Sequence, residues 1–317
     1  MTSPSSHRTA TEQLQGVCPH CGAAVLVHER FCEVCGSPLA GTGPTAPPSQ
    51  AAVPRAEFIA GAAAAVSDLG LRRRRNEDAV AMTVAGDGVV VALCDGVAST
   101  ANAHHASDRA SIAALRSLER GASAVGSSVP ELLGAAFRSA QEAVCTVRDD
   151  DAAGRELSPS TTMVAAVTSP GAVAVGNVGD SRAYWLSASA QRRLTVDDSW
   201  AEELVAEGTP REEAYADPEA HTITRWLGPD ATSVEPTITT FEVLEPGLLV
   251  LCSDGLWNYF EQAERLAPQL GLTEGTSSLI LAHRLVDAAL AEGGHDNVTV
   301  AVIPVAPLPT TASVSEE

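Results

Sequence analysis

The 317-residue sequence predicts a layered α+β fold, in which antiparallel sheets pack against pairs of helices. Three short apolar runs, at 89–95, 248–252 and 298–303, are typical of buried strands because each is bounded by glycine or polar residues. Several predicted strands follow one another without an intervening helix, and the first two predicted helices come as a pair. This order favours antiparallel sheets over a doubly wound parallel sheet, in which strands and helices alternate.

The remaining elements follow from the spacing of the apolar residues. Apolar residues that recur every three or four positions predict helices, and short runs between turn residues predict strands. Ser199 is a favourable N-cap for the short helix that follows it, and the mixed polarity of 209–230 predicts a loop over the surface. The predicted helices are 106–118, 130–147, 199–207 and 277–291, and the other predicted strands are 60–67, 80–84, 162–168, 172–178, 182–186 and 237–243.

The composition restricts both the partners and the compartment. Forty acidic residues against twenty basic ones give a formal net charge of −20, which argues against nucleic acid and anionic membranes and favours tolerance of bound cations. No 18-residue apolar stretch is present, and the N-terminus lacks the apolar centre of a secretory signal. We therefore expect a cytoplasmic protein. Cys94, Cys145 and Cys252 stand among apolar residues and are expected to be buried.

Four further cysteines near the N-terminus have the spacing of a structural zinc site. Two Cys-x2-Cys pairs, separated by ten residues, supply four thiolates from two tight turns, which suits tetrahedral zinc. With few apolar residues around them, this segment could hardly fold without the metal. His20 and His28 are alternative ligands that four thiolates make unnecessary. The predicted zinc ligands are Cys18, Cys21, Cys32 and Cys35.

Composition also divides the chain into segments. Polar residues without periodicity predict a disordered N-terminus at 1–16, followed by the zinc ribbon at 17–40. Pro, Gly, Ala and Ser dominate 41–57, which predicts a flexible linker, so we expect the modules on either side to move independently. Residues 58–306 are typical of one large globular domain, and the tail at 307–317 is expected to be disordered.

Three aspartates lie beside the three apolar runs. Asp95 and Asp254 each follow an apolar run and precede a glycine, which lets the backbone turn sharply. Asp296 lies just before the last predicted strand. A single Asp-Gly is usually only a turn. Three acidic strand ends in one chain instead indicate a site for divalent metal ions.

The motifs around these aspartates occur in a characteristic order. They are 67–78 (SDLGLRRRRNED), Asp95-Gly96, 177–182 (NVGDSR), 194–199 (LTVDDS), 253–255 (SDG) and Asp296-Asn297. From about residue 60 to residue 305, their order and spacing resemble the bacterial branch of the metal-dependent Ser/Thr protein phosphatases of the 2C family. The resemblance implies a four-layer α-β-β-α sandwich, in which two antiparallel sheets are flanked by helix pairs and the metals lie in a cleft at one end.

The resemblance also assigns roles to individual residues. It implies that Asp95 bridges two Mn²⁺ or Mg²⁺ ions, that the carbonyl of Gly96 binds the second ion, and that Asp254 and Asp296 complete the shell of the first. A water between the ions would then provide hydroxide near neutral pH. Arg73 matches the arginine that holds the phosphate with its planar fork.

Further residues are implied in supporting roles. Glu77 and Asp78 would act mainly through metal-bound waters. Asp180 matches a ligand of a third, weaker ion, and His221, which aligns with a mobile flap segment, would bind that ion or donate a proton. A basic run such as 72–75 would otherwise indicate a solvated face or a nucleic-acid patch. Its position directly before Asn76 and the two acidic residues favours phosphate binding.

The sequence departs from the family's pattern after Asp95. The family usually has two further glycines there, and often a histidine that serves as general acid, whereas this chain continues Val97-Ala98-Ser99. The proton donor for the leaving group is therefore not apparent, since His104 and His105 are expected in a loop or at the start of a helix. A metal-bound water is the default acid.

The function predicted on these grounds is hydrolysis of phosphoserine and phosphothreonine in proteins by a hydroxide that bridges two Mn²⁺ or Mg²⁺ ions. The expected partners are phosphorylated proteins and a Ser/Thr kinase that the enzyme opposes. Two alternatives stay open: a non-catalytic pseudo-phosphatase that binds phosphoproteins as an adaptor, favoured by the altered loop after Asp95, and a hydrolase of small phosphoesters. Arg30 is the only arginine or lysine within 17–40, so the ribbon fits protein docking or autoregulation better than nucleic-acid binding.

Overall fold

The chain divides into two compact units, Met1–Ala51 and Ala52–Glu317. Among the helices that could be described, none combines the length and the apolar character that a membrane crossing requires. A computed structural model describes residues 55–100, 102–122, 128–147, 158–273 and 275–309, and the backbone of two short strands nearer the N-terminus.

The first unit contains the two short strands. Strand β1 (Leu14–Val17) pairs antiparallel with strand β2 (Ala24–Leu26). Strand β1 begins inside the segment predicted to be disordered, because pairing with a partner strand supplies backbone hydrogen bonds that the local composition does not reveal. The predicted linker up to residue 54 and the predicted tail from residue 310 lie outside the described residues, as do the predicted zinc ligands Cys18, Cys21, Cys32 and Cys35.

Eleven strands, seven α-helices and one short 3-10 helix (Ala267–Leu270) make up the described part of the second unit. The strands are β3 (Arg55–Ala60), β4 (Ala63–Asp68), β5 (Asp78–Ala85), β6 (Gly88–Asp95), β7 (Met163–Ser169), β8 (Ala172–Val178), β9 (Arg182–Ser187), β10 (Gln191–Arg193), β11 (Thr237–Glu242), β12 (Gly247–Cys252) and β13 (Val298–Val305). The helices are α1 (Ala103–Ala122), α2 (Val129–Val144), α3 (Trp200–Ala206), α4 (Arg211–Ala214), α5 (Asp254–Trp257), α6 (Ala263–Leu266) and α7 (Ser278–Ala291).

Two antiparallel sheets form the centre of this unit. One has six strands in the order β10-β9-β12-β13-β4-β3, and the other has five in the order β11-β8-β7-β6-β5. In the middle of the six-stranded sheet, Val250 of β12 lies opposite Val302 of β13 on one side and Tyr184 of β9 on the other. This strand order brings the acidic strand ends of both sheets to one end of the sandwich.

The side chains between the two sheets form the main core. Strand β6 shows how the sequence produces it, because successive side chains of a strand point to opposite faces. Val91 and Leu93 belong to the same cluster as Leu249, Leu251 and Ile303, and all five are fully buried. Burial of an aliphatic side chain of this size stabilises a fold by about 1.5–3 kcal/mol.

The alternate residues of the same strands face helices. Val90 and Cys94 of β6 pack in a cluster with Leu118 of α1 and Phe137 of α2. Helices α5, α6 and α7 cover the outer face of the six-stranded sheet. Because both faces of the central strands are buried, these strands are continuous apolar runs in the sequence rather than alternating ones. The four-layer α-β-β-α sandwich that the resemblance implied is confirmed.

Two expectations about this unit are wrong in detail. The globular fold begins at Arg55 with β3, inside the predicted linker, and a turn at Gly61 with φ of +61° divides β3 from β4. Strand β3 escaped prediction because its Arg55 and Glu57 make it a charged edge strand. Cys145 is exposed rather than buried, because it caps the end of α2 and accepts a hydrogen bond from Gln141 at 3.4 Å.

Candidate functional site

Strand ends from both sheets meet at one end of the sandwich. Asp78 at the start of β5 lies directly opposite Asp95 at the end of β6. On the other sheet, Asp254 is the first residue of α5 after strand β12, and Asp296 lies two residues before β13. The charges of all four carboxylates act on one another, so they form one cluster.

A buried serine ties the two sheets together at this cluster. The Ser253 hydroxyl donates a hydrogen bond of 2.7 Å to Oδ2 of Asp78 and accepts one of 3.0 Å from the backbone N–H of Thr299. It therefore joins β5 of the five-stranded sheet to β13 of the six-stranded sheet. Ser253 belongs to the SDG motif but was not among the predicted site residues; its position directly after an apolar strand was the available signal.

Asn297 holds the loop between β4 and β5 against the same end. Its Oδ1 accepts the backbone N–H of Glu77 at 2.8 Å, and its Nδ2 donates to the carbonyls of Leu69 at 2.8 Å and Arg75 at 3.0 Å. This one side chain satisfies three backbone groups of the loop. The amide thereby fixes the position of the loop that carries Arg73.

The two glycines that follow aspartate are required by close packing. Neither Gly96 nor Gly255 has a positive φ, so the expected sharp turn is not their role. A Cβ on Gly96 would lie 2.7 Å from the carbonyl oxygen of Glu77, and one on Gly255 would lie 1.9 Å from that of Asn297. Glycine at these positions lets the strand ends and the α5 turn approach closely.

The carboxylates at the site repel one another. Loss of solvent contact raises the pKa of Asp95 and of Asp254 well above the usual range, and the neighbouring negative charges raise both further. Burial raises the pKa of Asp78 to about 6, although the hydrogen bond from Ser253 acts in the opposite direction. Such a cluster calls for compensating cations.

Arg73 supplies one of these positive charges. Its guanidinium forms an ion pair with the carboxylate of Asp296, and its charge lowers the pKa of Asp254 against the larger effect of burial. Arg73 is half-buried, with 36% of its side chain exposed. The predicted phosphate-binding residue therefore lies at the edge of the carboxylate cluster.

The donor atoms fit Mn²⁺ or Mg²⁺, which prefer carboxylate and carbonyl oxygens. Oδ1 of Asp78 is buried and has no hydrogen-bond partner among the described residues, so it is an acceptor that an ion or its water would satisfy. As the described side chains stand, no three Asp, Glu, His or Cys residues are grouped closely enough to hold an ion. Binding would therefore need local rotation, including release of Asp296 by Arg73.

The structure places the two candidates for a third ion differently. Asp180 is buried after β8, where burial raises its pKa to about 7, and its charge acts on both Asp95 and Asp254. His221 is exposed, with its ring centroid 6.0 Å from that of Tyr215 and 6.1 Å from that of Trp257. Asp180 adjoins the cluster, whereas the ring contacts of His221 are with aromatic side chains.

The two histidines after the altered loop lie in the first turn of α1. The rings of His104 and His105 stack with centroids 3.9 Å apart, and the guanidinium of Arg75 lies 3.2 Å from Nδ1 of His104. Burial, followed by the charges of Arg75 and His105, lowers the pKa of His104 to about 4. At neutral pH His104 is therefore uncharged and is a poor source of protons.

The altered loop is held by hydrogen bonds within itself and to residues 160–162. The backbone N–H of Val97 donates to the carbonyl of Ser160 at 3.0 Å, and both the N–H and the hydroxyl of Thr100 donate to the carbonyl of Val97, at 2.9 and 2.7 Å. The carbonyl of Asp95 accepts bonds from Thr161 and Thr162, each at 2.8 Å. The chain thus positions Asp95 without the later glycines.

A buried arginine behind the site was also missed as a structural feature. Arg182 is fully buried, pairs with Asp197 at 2.6 Å, and has its guanidinium carbon 3.7 Å from the ring centroid of Trp257 in α5. The two partners stand in the NVGDSR and LTVDDS motifs. Alternation along β9, which puts Arg182 on the same face as Tyr184, was the signal that could have revealed the buried pair.

Comparison with known proteins agrees with this geometry. Residues 72–290 match the family model "Protein phosphatase 2C", and residues 17–39 match a zinc-ribbon domain. The first match covers more than half of the chain and includes most of the two-sheet fold and three of the four clustered aspartates. The chain belongs to the protein phosphatase 2C family.

Individual relatives are bacterial Ser/Thr phosphatases. The phosphatase PstP of Mycobacterium tuberculosis is 37% identical over 246 residues, which cover 75% of this chain and 44% of the relative. The crystal structure of PstP/Ppp from that organism has a TM-score of 0.63 at 32% identity and covers 77% of this chain and 98% of that one. A structure of the PstP catalytic domain with two manganese ions has a TM-score of 0.61 at 33% identity, covering 79% and 99%. The chain spans about half the length of the curated relatives it matches.

Proposed function

We propose that this chain is a metal-dependent phosphatase that hydrolyses phosphoserine and phosphothreonine in proteins. The observation that carries the proposal is the cluster of Asp78, Asp95, Asp254 and Asp296 at one end of the sandwich, with Arg73 at its edge. Hard oxygen donors beside a guanidinium suit divalent ions together with a phosphoryl group. The kinship with PstP supports the same assignment.

In this proposal each residue has a defined task. Asp95, Asp254, Asp296 and the Gly96 carbonyl bind two Mn²⁺ or Mg²⁺ ions. When bound, such a pair supplies a water of lowered pKa and offsets negative charge on the phosphoryl group. Arg73 exchanges its ion pair with Asp296 for two phosphoryl oxygens, which orients the phosphorus for in-line attack.

The supporting residues act through position. Ser253 holds one oxygen of Asp78 and leaves Oδ1 for an ion or its water. Glu77 is positioned by the hydrogen bond that its backbone N–H donates to Asn297. Asp180 is our candidate ligand for a third ion, because its charge reaches the cluster. We keep His221 as a weaker candidate for that ion or for proton donation, since its closest rings are Tyr215 and Trp257.

The N-terminal segment completes the proposal. We infer that Cys18, Cys21, Cys32 and Cys35 bind one structural zinc ion, supported by the zinc-ribbon match over 17–39. We further propose that the linker ends before β3, that the ribbon serves docking or regulation, and that the enzyme opposes a Ser/Thr kinase in the cytoplasm. Zinc content by mass spectrometry, with Cys18→Ser and Cys35→Ser, tests the first point; one zinc per chain, lost in the variants, is expected.

Hydrolysis of p-nitrophenyl phosphate and of a phosphothreonine peptide tests the main proposal. We expect manganese-dependent turnover that a chelator abolishes. Asp254→Asn should lower kcat/KM more than about 100-fold, since changes in residues that only orient ligands cost about 10- to 100-fold. The matched control is Asp87→Asn, the same substitution at an exposed turn at the other end of the β5–β6 hairpin, where activity should be retained.

The possible outcomes separate the alternatives. Folded protein without turnover under any divalent ion, but with phosphopeptide binding, would identify an adaptor. Turnover of p-nitrophenyl phosphate without turnover of the peptide would identify a hydrolase of small phosphoesters. Thermal unfolding with and without Mn²⁺ gives a second readout, because Asp254→Asn should also lose the rise in Tm that the ion produces.

A further inference from the structure

The loop between β4 and β5 carries four consecutive arginines, of which only Arg73 is assigned to phosphate. Arg72, Arg74 and Arg75 are exposed. Asn297 and a backbone hydrogen bond of 2.8 Å from Leu71 to Gly294 hold the loop at the acidic end of the sandwich. Three exposed guanidiniums therefore border the proposed phosphate position.

These three charges lie together on one loop beside the acidic cluster, whereas other exposed arginines without an ion pair, such as Arg116, Arg120 and Arg265, lie elsewhere on the described part of the chain. The chain has a formal charge of −20 and contains no lysine, so all twenty of its Lys and Arg residues are arginines. Among the described residues, Arg72 and Arg74 form no ion pair or side-chain hydrogen bond, and the guanidinium of Arg75 contacts only His104. Six arginines elsewhere form ion pairs with Asp or Glu: Arg55, Arg138, Arg182, Arg193, Arg211 and Arg225.

The grouping of three exposed arginines without a carboxylate partner on one loop indicates a surface kept positive for a partner. A protein with twice as many acidic as basic residues has ample carboxylates to neutralise an exposed arginine. Unpaired guanidiniums at the edge of a cleft attract anionic segments and orient them as they arrive. Each exposed contact contributes little alone, but three act together along one segment of chain.

We propose that Arg72, Arg74 and Arg75 form a docking strip for acidic substrate segments, so that the enzyme selects phosphoproteins in which the target residue is flanked by carboxylates or by a second phosphate. This inference rests on the proposed phosphatase function and specifies its substrate class. The planar guanidinium forks suit both carboxylate and phosphate groups. Arg73 holds the phosphate to be removed, and the strip holds its neighbours.

The test compares phosphothreonine peptides that differ only in their flanking residues. One peptide has alanines, one has glutamates, one has a second phosphothreonine and one has arginines. We expect kcat/KM with Mn²⁺ to be about tenfold higher for the two acidic peptides than for the alanine peptide at low salt. The preference should shrink in 0.3 M NaCl, because exposed charges are screened over about 6 Å at that ionic strength.

Two sets of variants locate the preference. Joint replacement of Arg72, Arg74 and Arg75 by Gln should reduce the ratio between acidic and alanine peptides to about twofold or less. Joint replacement by Glu should invert the preference, so that kcat/KM becomes highest for the arginine peptide. Misfolding could not produce such an increase. The matched control replaces three other exposed arginines by Gln, and the ratio should stay at its wild-type value: Arg116, Arg120 and Arg265.

The readouts distinguish failure of the strip from failure of the phosphatase. Absence of turnover on every peptide and on p-nitrophenyl phosphate would overturn the function; peptide binding, measured by fluorescence anisotropy, would then still report the preference. Equal kcat/KM and equal binding for acidic and alanine peptides would overturn the strip alone, as would a ratio unchanged by the Gln replacements. Tighter binding of a labelled single-stranded RNA than of the acidic peptides would replace our proposal with a nucleic-acid surface.

Discussion

Arg182 shows how one side chain can join three elements behind the site. Its Nε and Nη2 both donate to Asp197, its guanidinium stacks on Trp257, and no part of it is exposed. Asp197 is equally enclosed, with 3% of its side chain exposed. A buried charge pair of this kind contributes little beyond an apolar pair, but loss of one partner leaves an uncompensated charge in the core.

We expect Arg182→Met to lower the free energy of unfolding by about 3–5 kcal/mol, because it leaves the buried Asp197 with only the 3.5 Å ion pair to Arg193. The double variant Arg182→Met with Asp197→Leu should recover a substantial part of that loss, since it removes the remaining charge. Urea unfolding of the three proteins measures both values. A double variant as unstable as the single one would show that the geometry of the pair, rather than its charge balance, stabilises this region.

Glu202 forms a second enclosed ionic group, in helix α3. Its carboxylate accepts hydrogen bonds from Arg193 at 2.8 Å, from Arg211 at 2.8 Å and from Tyr215 at 2.7 Å. Burial alone would raise its pKa, but these three donors outweigh burial and lower it below the usual 4.5. The carboxylate therefore stabilises the folded chain at neutral pH, and this contribution disappears as the pH falls through the lowered pKa.

Glu202→Gln should accordingly destabilise the protein at pH 7 by roughly 1.5–3 kcal/mol, the range for hydrogen bonds to a charged group. The difference from wild type should shrink as the pH falls through the lowered pKa of Glu202, because the carboxylate then becomes protonated in the folded chain as well. Denaturant unfolding at pH 7 and near pH 3 provides the comparison. Glu212→Gln, at an exposed position on α4, is the control and should change stability little at either pH.

At the scale of elements, the short helix α5 determines how closely the two halves of the site approach. It begins at Asp254, follows the Ser253 link between the sheets, and ends at Trp257 beside Arg182. Gly255 lets its first turn lie against the backbone of Asn297. Five consecutive residues, 253–257, thus provide the link between the sheets at Ser253, the candidate ligand Asp254 and the ring of Trp257 that stacks on Arg182.

Gly255→Ala should lower stability by roughly 1–3 kcal/mol, the usual cost of overpacking, because the new Cβ would meet a backbone carbonyl that cannot rotate away. Gly134→Ala in the interior of α2 is the matched substitution. Its Cβ would lie 3.3 Å from the flexible end of Arg138, so a gain of about 0.5–1 kcal/mol is expected. Thermal unfolding distinguishes the two, and a Gly255→Ala protein as stable as wild type would contradict the packing argument.

At the scale of the whole molecule, the edge strand β3 marks where the second unit starts. Arg55 binds Asp68 at 2.7 Å and Asp287 at 2.9 Å, and Glu57 accepts a hydrogen bond at 2.8 Å from His283 of α7. These contacts attach β3 to both β4 and α7. The boundary between the two compact units, after Ala51, lies just before them.

Removal of residues 1–51 should therefore leave the Tm of the second unit and its manganese-dependent turnover of p-nitrophenyl phosphate close to those of the full chain. Removal of residues 1–61 should lower the Tm markedly, because it also removes β3 and its links to Asp68 and Asp287. Differential scanning fluorimetry and the phosphate-release assay provide the readouts. Loss of turnover in the shorter deletion would mean that the ribbon is required for catalysis.

The layered fold and most of its elements could be predicted because the central strands bury both faces. Strands such as β12 (Gly247–Cys252) are continuous apolar runs with clear ends, and α7 shows a helical repeat. Elements without such a pattern were missed, among them β3, β10 and the four-residue helices α4, α5 and α6. These elements are either rich in charged residues or too short to show a repeat of apolar residues, and tertiary contacts hold them in place.

The sequence by itself determined the family, the two-sheet sandwich and the aspartates beside the apolar runs, because strand ends and their neighbouring residues are local features. Only the tertiary structure decided that Arg73 pairs with Asp296, that Ser253 joins the sheets at Asp78 and that Arg182 lies buried against Trp257. These contacts join residues far apart in the chain. Their partners are chosen by the packing of two sheets, which no local pattern encodes.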